Sequence, residues 1–212
     1  MPNWCSTTFR FRGDRDELET LRKNVLEWTS KEYETSGFHE MWLGNILHGA
    51  GLGDRIDHPV SYMSLRCRGS ITDIGEIYNS DGFFFDIWTE TAWVPMAKMW
   101  QAVINKLELK TVGFTFIAEE PGCEIYWIYD PNDYGDFEDY EVYIDSWDVP
   151  DHDDLCEIHT KADAIKALQK FFKTNVSSFS KLKEMCEDYT DEHDSNEGIN
   201  IHEYEIDNVL QD

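Results

Sequence analysis

Phe83-Phe84-Phe85-Asp86-Ile87-Trp88-Thr89-Glu90-Thr91-Ala92-Trp93-Val94-Pro95 is the stretch whose reading decides the fold. Alternate residues divide into two faces, Phe83, Phe85, Ile87 and Thr89 on one, Phe84, Asp86, Trp88 and Glu90 on the other. A period of two with aromatic and β-branched side chains predicts a strand. Its aromatic content predicts a central one, covered on both faces for much of its length. Asn79-Ser80-Asp81-Gly82 before it is turn chemistry, because Asn, Asp and Gly accept positive φ. Pro95 after it suits the first turn of a helix, where its missing N–H costs nothing. Met96, Met99, Trp100, Val103, Ile104 and Leu107 then recur at helical spacing.

Upstream, Trp4 to Arg12 alternates as a strand, with Cys5, Thr7, Phe9 and Phe11 sharing a face. Gly13 closes it. Asp14 is placed to cap a helix, with Glu17 at the reciprocal capping-box position and Leu18, Leu21, Val25 and Trp28 as its apolar stripe. Glycines 37, 44, 49, 51 and 53 then break any long element, leaving a short helix around Met41-Trp42-Leu43 and Ile46-Leu47. The run from Gly49 to Asp54 lacks the spacing and the lysine of a phosphate loop and reads as a turn-rich connection. Ser61 to Arg68 is expected as a strand, and Gly69 to Tyr78 as a further extended or part-helical piece.

Downstream, Leu109 to Ala118 is expected as a strand, Glu120-Pro121-Gly122 as a turn and Cys123 to Tyr129 as the hairpin partner. This order predicts an α+β fold, a ferredoxin-like split βαβ sandwich over residues 1–130. Residues 131–212 are expected as an acidic α/β C-terminal extension packed on it. There, Glu141 to Trp147 reads as a strand. Thr160 is an N-cap with Asp163 at its third position, ahead of Ile165, Leu168, Phe171 and Phe172. Phe179 to Tyr189 reads as a helix, and Ile199, Ile201, Tyr204 and Ile206 as a terminal strand.

Charge is the strongest global signal: 43 acidic residues against 18 basic ones, net −25. Residues 1–110 hold 16 acids and 12 bases, whereas residues 111–212 hold 27 and 6. Binding to phosphate backbones requires a basic footprint, so direct contact with nucleic acid or with an anionic membrane is disfavoured. A basic partner protein is favoured. No apolar run is long enough to span a bilayer and Met1 to Cys5 shows no signal pattern, which predicts a soluble, cytoplasmic protein. Five widely spaced cysteines without a C-x-x-C pair read as reduced thiols, mostly buried.

Met1-Pro2-Asn3-Trp4-Cys5, Thr91-Ala92-Trp93-Val94-Pro95 and Glu120-Pro121-Gly122 together resemble the YubB ferredoxin-like domain family of plasmid- and phage-borne proteins. The likeness spans residues 1 to about 130; Gly75 to Asn79 departs from the family's W-G-T-K-W segment. The resemblance implies a ferredoxin-like fold and a mobile-element or phage setting. It implies no activity, since the family's function is unknown.

Candidate sites follow from composition. Asp130 to Glu157 holds twelve acids and no Lys or Arg, interleaved with aromatics. Asp130, Asp133, Asp136, Glu138, Asp139, Glu141, Asp151, Asp153 and Asp154, together with the acidic stretch 184–207, are expected as an acidic binding surface. Its sharp form is a DNA mimic, with carboxylates spaced like phosphates that occupy a nucleic-acid-binding protein's site. Asp130, Asn132, Glu138 and Glu141 fall at calcium-loop positions, a weak match because Tyr134 stands where an oxygen ligand is required. His152, Asp154, Cys156 and His159 are clustered donors without the second cluster that structural zinc needs. Asp86, Glu90, Glu119 and Glu124 could converge for acid–base work, making a small carboxylate- or metal-dependent enzyme the alternative function. No motif names a reaction. Trp4, Trp88 and Trp93 are expected in the core with its fold-defining turn; the functional alternative is a groove at Trp88, Thr91 and Trp93.

Overall fold

The computed structural model describes residues 3–30, 41–53, 67–150, 155, 158–193 and 197–206. It has mixed α and β content in two compact units. The first comprises the described residues up to Asp136 together with Ile206, and the second Phe137–Glu205.

The first unit opens with β1 (Trp4–Arg12) and α1 (Arg15–Thr29). A short α2 (Leu43–Gly49) leads to β2 (Gly69–Ile74), β3 (Tyr78–Asn79) and β4 (Phe83–Ala92). Then come α3 (Ala97–Lys106), β5 (Gly113–Glu120), a 3₁₀ turn at Pro121–Cys123 and β6 (Ile125–Tyr129). The sheet order is β2-β4-β1-β5-β6, with the short β9 (Glu205–Ile206) next in order and β3 beside β4. The pairings among β1 to β6 are antiparallel.

Strand alternation sorts this sheet. Phe9, Phe11, Phe85, Ile87, Phe114 and Phe116 point to one face and are almost wholly buried, joined there by Leu18, Leu21 and Val25 of α1 and by Met99, Trp100 and Val103 of α3. Phe11 stacks on Phe85 at 5.3 Å between ring centroids and meets Trp100 edge-on at 5.2 Å. Edge and offset contacts of this kind add to the burial of large rings.

The second unit contains β7 (Val142–Trp147), α4 (Lys161–Phe172), α5 (Phe179–Glu192) and β8 (Gly198–Glu203). β7 and β8 form an antiparallel pair, Val142 opposite Glu203. Val142, Ile144, Ala164, Leu168, Leu182, Cys186 and Ile199 close a separate core. The Thr160 cap is present: its Oγ1 accepts from Asp163 N–H at 3.2 Å and donates to the Asp163 carboxylate at 3.0 Å.

Several expectations are corrected. The boundary falls at 136/137 rather than 130/131, because Asp136 is tied into the first unit's sheet by Arg10, Arg12 and Thr115. Asp14 occupies the N-cap without a side-chain cap bond, and the capping-box role of Glu17 is diverted to Thr111, whose N–H and hydroxyl both donate to it at 2.8 Å. β5 starts at Gly113, not Leu109, because Glu108 takes positive φ and Thr111 is held by Glu17. β6 starts at Ile125 because Glu124 is left-handed after the 3₁₀ turn. Pro95 precedes the N-cap Met96 instead of entering the first turn. β4 is covered on one face only along its second half, where Trp88 and Glu90 are exposed. The strand expected from Ser61 lies outside the described residues as far as residue 66.

Candidate functional site

The segments Asn3 to Cys5, Thr91 to Pro95 and Glu120 to Gly122, far apart in sequence, meet at one end of the first unit's sheet. The β1–β4 register sets Trp4 opposite Ala92 and Cys5 opposite Thr91, and Trp93 N–H donates to Asn3 C=O at 3.0 Å. Gly122 has no Cβ because the Asn3 amide occupies the space, its Nδ2 2.1 Å from where a Cβ would stand. The Glu120 carboxylate caps the turn by accepting from Gly122 N–H at 3.0 Å.

Thr91 is fully buried on the inward face. Its hydroxyl lies 2.8 Å from Val94 C=O and 3.4 Å from Cys5 C=O. That tie holds the backbone turn in which Trp93 adopts φ 69°, a left-handed conformation uncommon for a bulky residue. The turn throws the Trp93 indole outward, where the Arg68 guanidinium lies 5.2 Å from its ring. Thr91 therefore supports the turn and lines no groove.

The three tryptophans assigned to the core are instead on the surface, with Trp4 50%, Trp88 37% and Trp93 45% exposed. The core tryptophans are Trp28, Trp42 and Trp100. Trp4 and Trp88 follow the parity of their strands onto the outward face, shared with Ser6, Thr8 and Glu90. Across that face the register aligns Ser70, Glu90, Ser6 and Glu119 in one row, and Asp73, Trp88, Thr8 and Ile117 in the next.

The proposed carboxylate convergence does not form. Asp86 is consumed by a two-point pair with Arg10, at 2.8 and 2.9 Å. Glu90 and Glu119 stand two strands apart, roughly 10 Å, beyond any shared proton. Burial pushes the Cys5 thiol up to about 11 and the Cys186 thiol up to about 12, while a hydrogen bond with Glu120 raises that of exposed Cys123. None of these three thiols is an activated nucleophile.

Of the acidic set, Asp133, Glu138, Asp139 and Glu141 are exposed. Glu141 accepts from the Lys161 N–H at the start of α4, at 2.8 Å, and Asp130 accepts from Gly135 N–H at 2.8 Å. Asp136 is not a surface acid. Its side chain is 1% exposed and accepts from Arg12, from Arg10 at 3.2 Å and from Thr115 at 2.8 Å. Burial works to raise its carboxyl, but hydrogen bonds from Arg12 and Thr115 and the Arg12 charge outweigh it and hold the group below the ordinary aspartate range. Asp151, Asp153 and Asp154 lie outside the described residues, as do His152 and Cys156. His159 packs on Tyr140, 4.4 Å between ring centroids. For the calcium reading, Asp130 and Asn132 belong to the first unit and Glu138 and Glu141 to the second. Among the described residues no three His, Cys, Asp or Glu side chains form a metal-holding group.

The second acidic stretch expected to engage a partner, residues 184–207, begins on α5. Glu184, Glu187, Asp188, Asp191 and Glu192 are all exposed and fall at i, i+3, i+4, i+7 and i+8, one stripe of the helix. Among the described residues none of the five is in an ion pair. No described helix is long and apolar enough to cross a membrane. Comparison with protein-family models, with curated proteins and with solved structures finds no match to this chain.

Proposed function

We propose that this chain is a non-catalytic protein-binding module whose acidic second unit engages a basic partner. The observation that carries the reading is the α5 stripe. Its carboxylates repel one another at three- and four-residue spacing, which weakens the helix. Asp191 and Glu192 lie in the last turn, where the macrodipole disfavours anions and no basic residue is present to compensate. The fold gains nothing from this arrangement, and cations on a partner would relieve it. Exposed Glu138, Asp139 and Glu141 add to the acidity of the same unit.

Spacing favours the sharper form, a DNA mimic. Five charges over eight residue steps span roughly 12 Å of helix axis at ~1.5 Å per residue, an average of about 3 Å between successive charges. That falls between the roughly 1.7 Å per charge of duplex DNA and the ~3.4 Å of one strand. The partner is then a DNA- or RNA-binding protein, met through its basic site. The sheet order β2-β4-β1-β5 supports a ferredoxin-like reading of the first unit. With the resemblance to the YubB family, it supports a mobile-element or phage setting in the cytoplasm.

The test compares the wild-type chain with a variant carrying Glu184→Gln, Glu187→Gln, Asp188→Asn, Asp191→Asn and Glu192→Gln. Both are used to capture proteins from bacterial lysate, eluted in salt steps and identified by mass spectrometry. We expect a nucleic-acid-binding protein held by the wild type alone, released at moderate salt and displaced by its own nucleic acid. Equal retention by the neutral variant, or no displacement by nucleic acid, would overturn the reading.

A further inference from the structure

The acidic stripe of α5 has a basic counterpart on α4, and we infer that the two meet between copies of the chain, joining two copies in a weak dimer. The inference rests on the reading of α5 as a contact surface and adds a second copy of the chain as its occupant. All six basic residues of the stretch 111–212 lie between Lys161 and Lys183, in company with a single acid, Asp163. A chain of net −25 thus confines these cations to one helix and the start of the next. Lys166, Lys170 and Lys173 are exposed and stand at i, i+4 and i+7, with Lys173 as the C-cap of α4. Lys166 holds Asp163 at 2.7 Å, but both side chains are largely exposed and such a pair is readily exchanged.

The fold sets these lysines level with carboxylates of α5. Where the helices start, Lys161 Nζ lies 5.6 Å from the Phe179 ring, and Lys161 and Lys183 share the Glu203 carboxylate at 2.8 and 3.6 Å. Where they end, the Phe171 and Phe172 rings lie 5.3 and 6.1 Å from that of Tyr189. The two helices therefore run in the same direction. Lys161 with Phe179, and Phe171 with Tyr189, give one offset of 18 residues. The same offset carries Lys166 to Glu184, Lys170 to Asp188 and Lys173 to Asp191. Ala164 and Leu168 of α4 and Leu182 and Cys186 of α5 are buried, and each stripe begins two residues further on, about 200° around its helix. Both stripes thus face away from the core that the helices share. Among the described residues no lysine reaches the α5 stripe within the chain.

Symmetry completes the match. A two-fold axis parallel to the helices preserves height along them and exchanges left for right, so it sets α4 of each copy against α5 of the other. Lys166, Lys170 and Lys173 then meet Glu184, Asp188 and Asp191 of the second copy, twice over. Net charge limits the strength. Two copies of net −25 repel at long range, but the screening length is about 8 Å at ~0.15 M salt, so the charges in contact decide the outcome. Exposed pairs are individually weak, and a basic partner that covers α5 displaces the second copy.

Sedimentation equilibrium of the full chain at about 100 µM, in about 0.15 M salt, should show a substantial dimer fraction. Two triple variants test its cause: Lys166→Glu with Lys170→Glu and Lys173→Glu, and Glu184→Lys with Asp188→Lys and Asp191→Lys. Each alone sets like charges face to face and should associate at least about tenfold more weakly, whereas their equimolar mixture should recover the dimer. The exchanges move the net charge by six in opposite directions, so a mixed pair carries the same total as two wild-type chains and recovery reports placement alone. All six positions are exposed, and the wild-type measurement stands without the variants. A monomeric wild type, a dimer of either variant alone, or a monomeric mixture would overturn the inference. The lysine variant keeps the α5 stripe, so its capture of a nucleic-acid-binding protein separates failure of the dimer from failure of the proposed function.

Discussion

Replacing Asp136 with Asn should destabilise the first unit by about 2–3 kcal/mol at neutral pH. The Asp136 side chain is 1% exposed, and its arginine partners Arg12 and Arg10 are 15% and 23% exposed. Removing one member of a buried pair commonly costs ~3–5 kcal/mol, because the remaining charge is stranded. Here the loss is smaller, since Arg10 keeps both contacts to Asp86 and Arg12 keeps the rings of Phe84 and Tyr134 beneath it. Urea denaturation of wild type and variant at pH 7 measures the difference. The pH dependence supplies a second readout. The folded-state carboxyl is held below its unfolded value of 3.8, so its stabilisation is present above that pH and fades as pH falls through the lower folded value. The gap between the proteins should narrow from about pH 4 downward. A difference under about 0.5 kcal/mol at pH 7, or a gap unchanged in acid, would refute the argument that charge pairing holds this residue in place.

Neutralising the α5 stripe as above should leave the second unit as stable or up to about 1 kcal/mol more stable at low salt, with the gain shrinking as salt is added; a clear loss of stability would show that the carboxylates support the fold. Thr160→Ala should cost about 1 kcal/mol by removing the α4 cap, read from denaturant midpoints, and Thr160→Ser should recover most of it. Gly49→Ala should cost roughly 1–3 kcal/mol, because a Cβ there would stand 2.2 Å from the Trp28 ring, and near-ultraviolet circular dichroism should report the displaced indole.

Strands and helices with strong periodicity were legible. The faces of β1, the stripe of α3 and the Thr160 cap all follow from local residue order. What escaped depended on partners distant in sequence. Glu17 satisfies Thr111 rather than its own helix start, and nothing near residue 17 reports that. Asp136 looks like one acid among twelve until β1 supplies two guanidinium groups for it. The tryptophans escape for another reason: large aromatics favour burial in general, but strand parity puts Trp88 on the same face as Asp86 and Glu90, where it is exposed. Acidic composition marks both 130–157 and 184–207, but composition alone does not show that the acids of α5 align on one stripe; that follows from applying helical spacing to the acids as well as to the apolar residues.

The chain leaves the first unit after Asp136 and returns to it at Ile206, so residues 137–205 are an insertion between two stretches of its host. The two ends of the insert are brought together by its own pairing, with Val142 opposite Glu203 and Tyr204 N–H donating to Glu141 C=O at 3.1 Å. A spacing of about 5 Å between such strands can be bridged by a two-residue hairpin link. The acidic unit is thus a cassette: with its two ends held side by side by its own strands, it is exchangeable in one step without altering the host's core sequence.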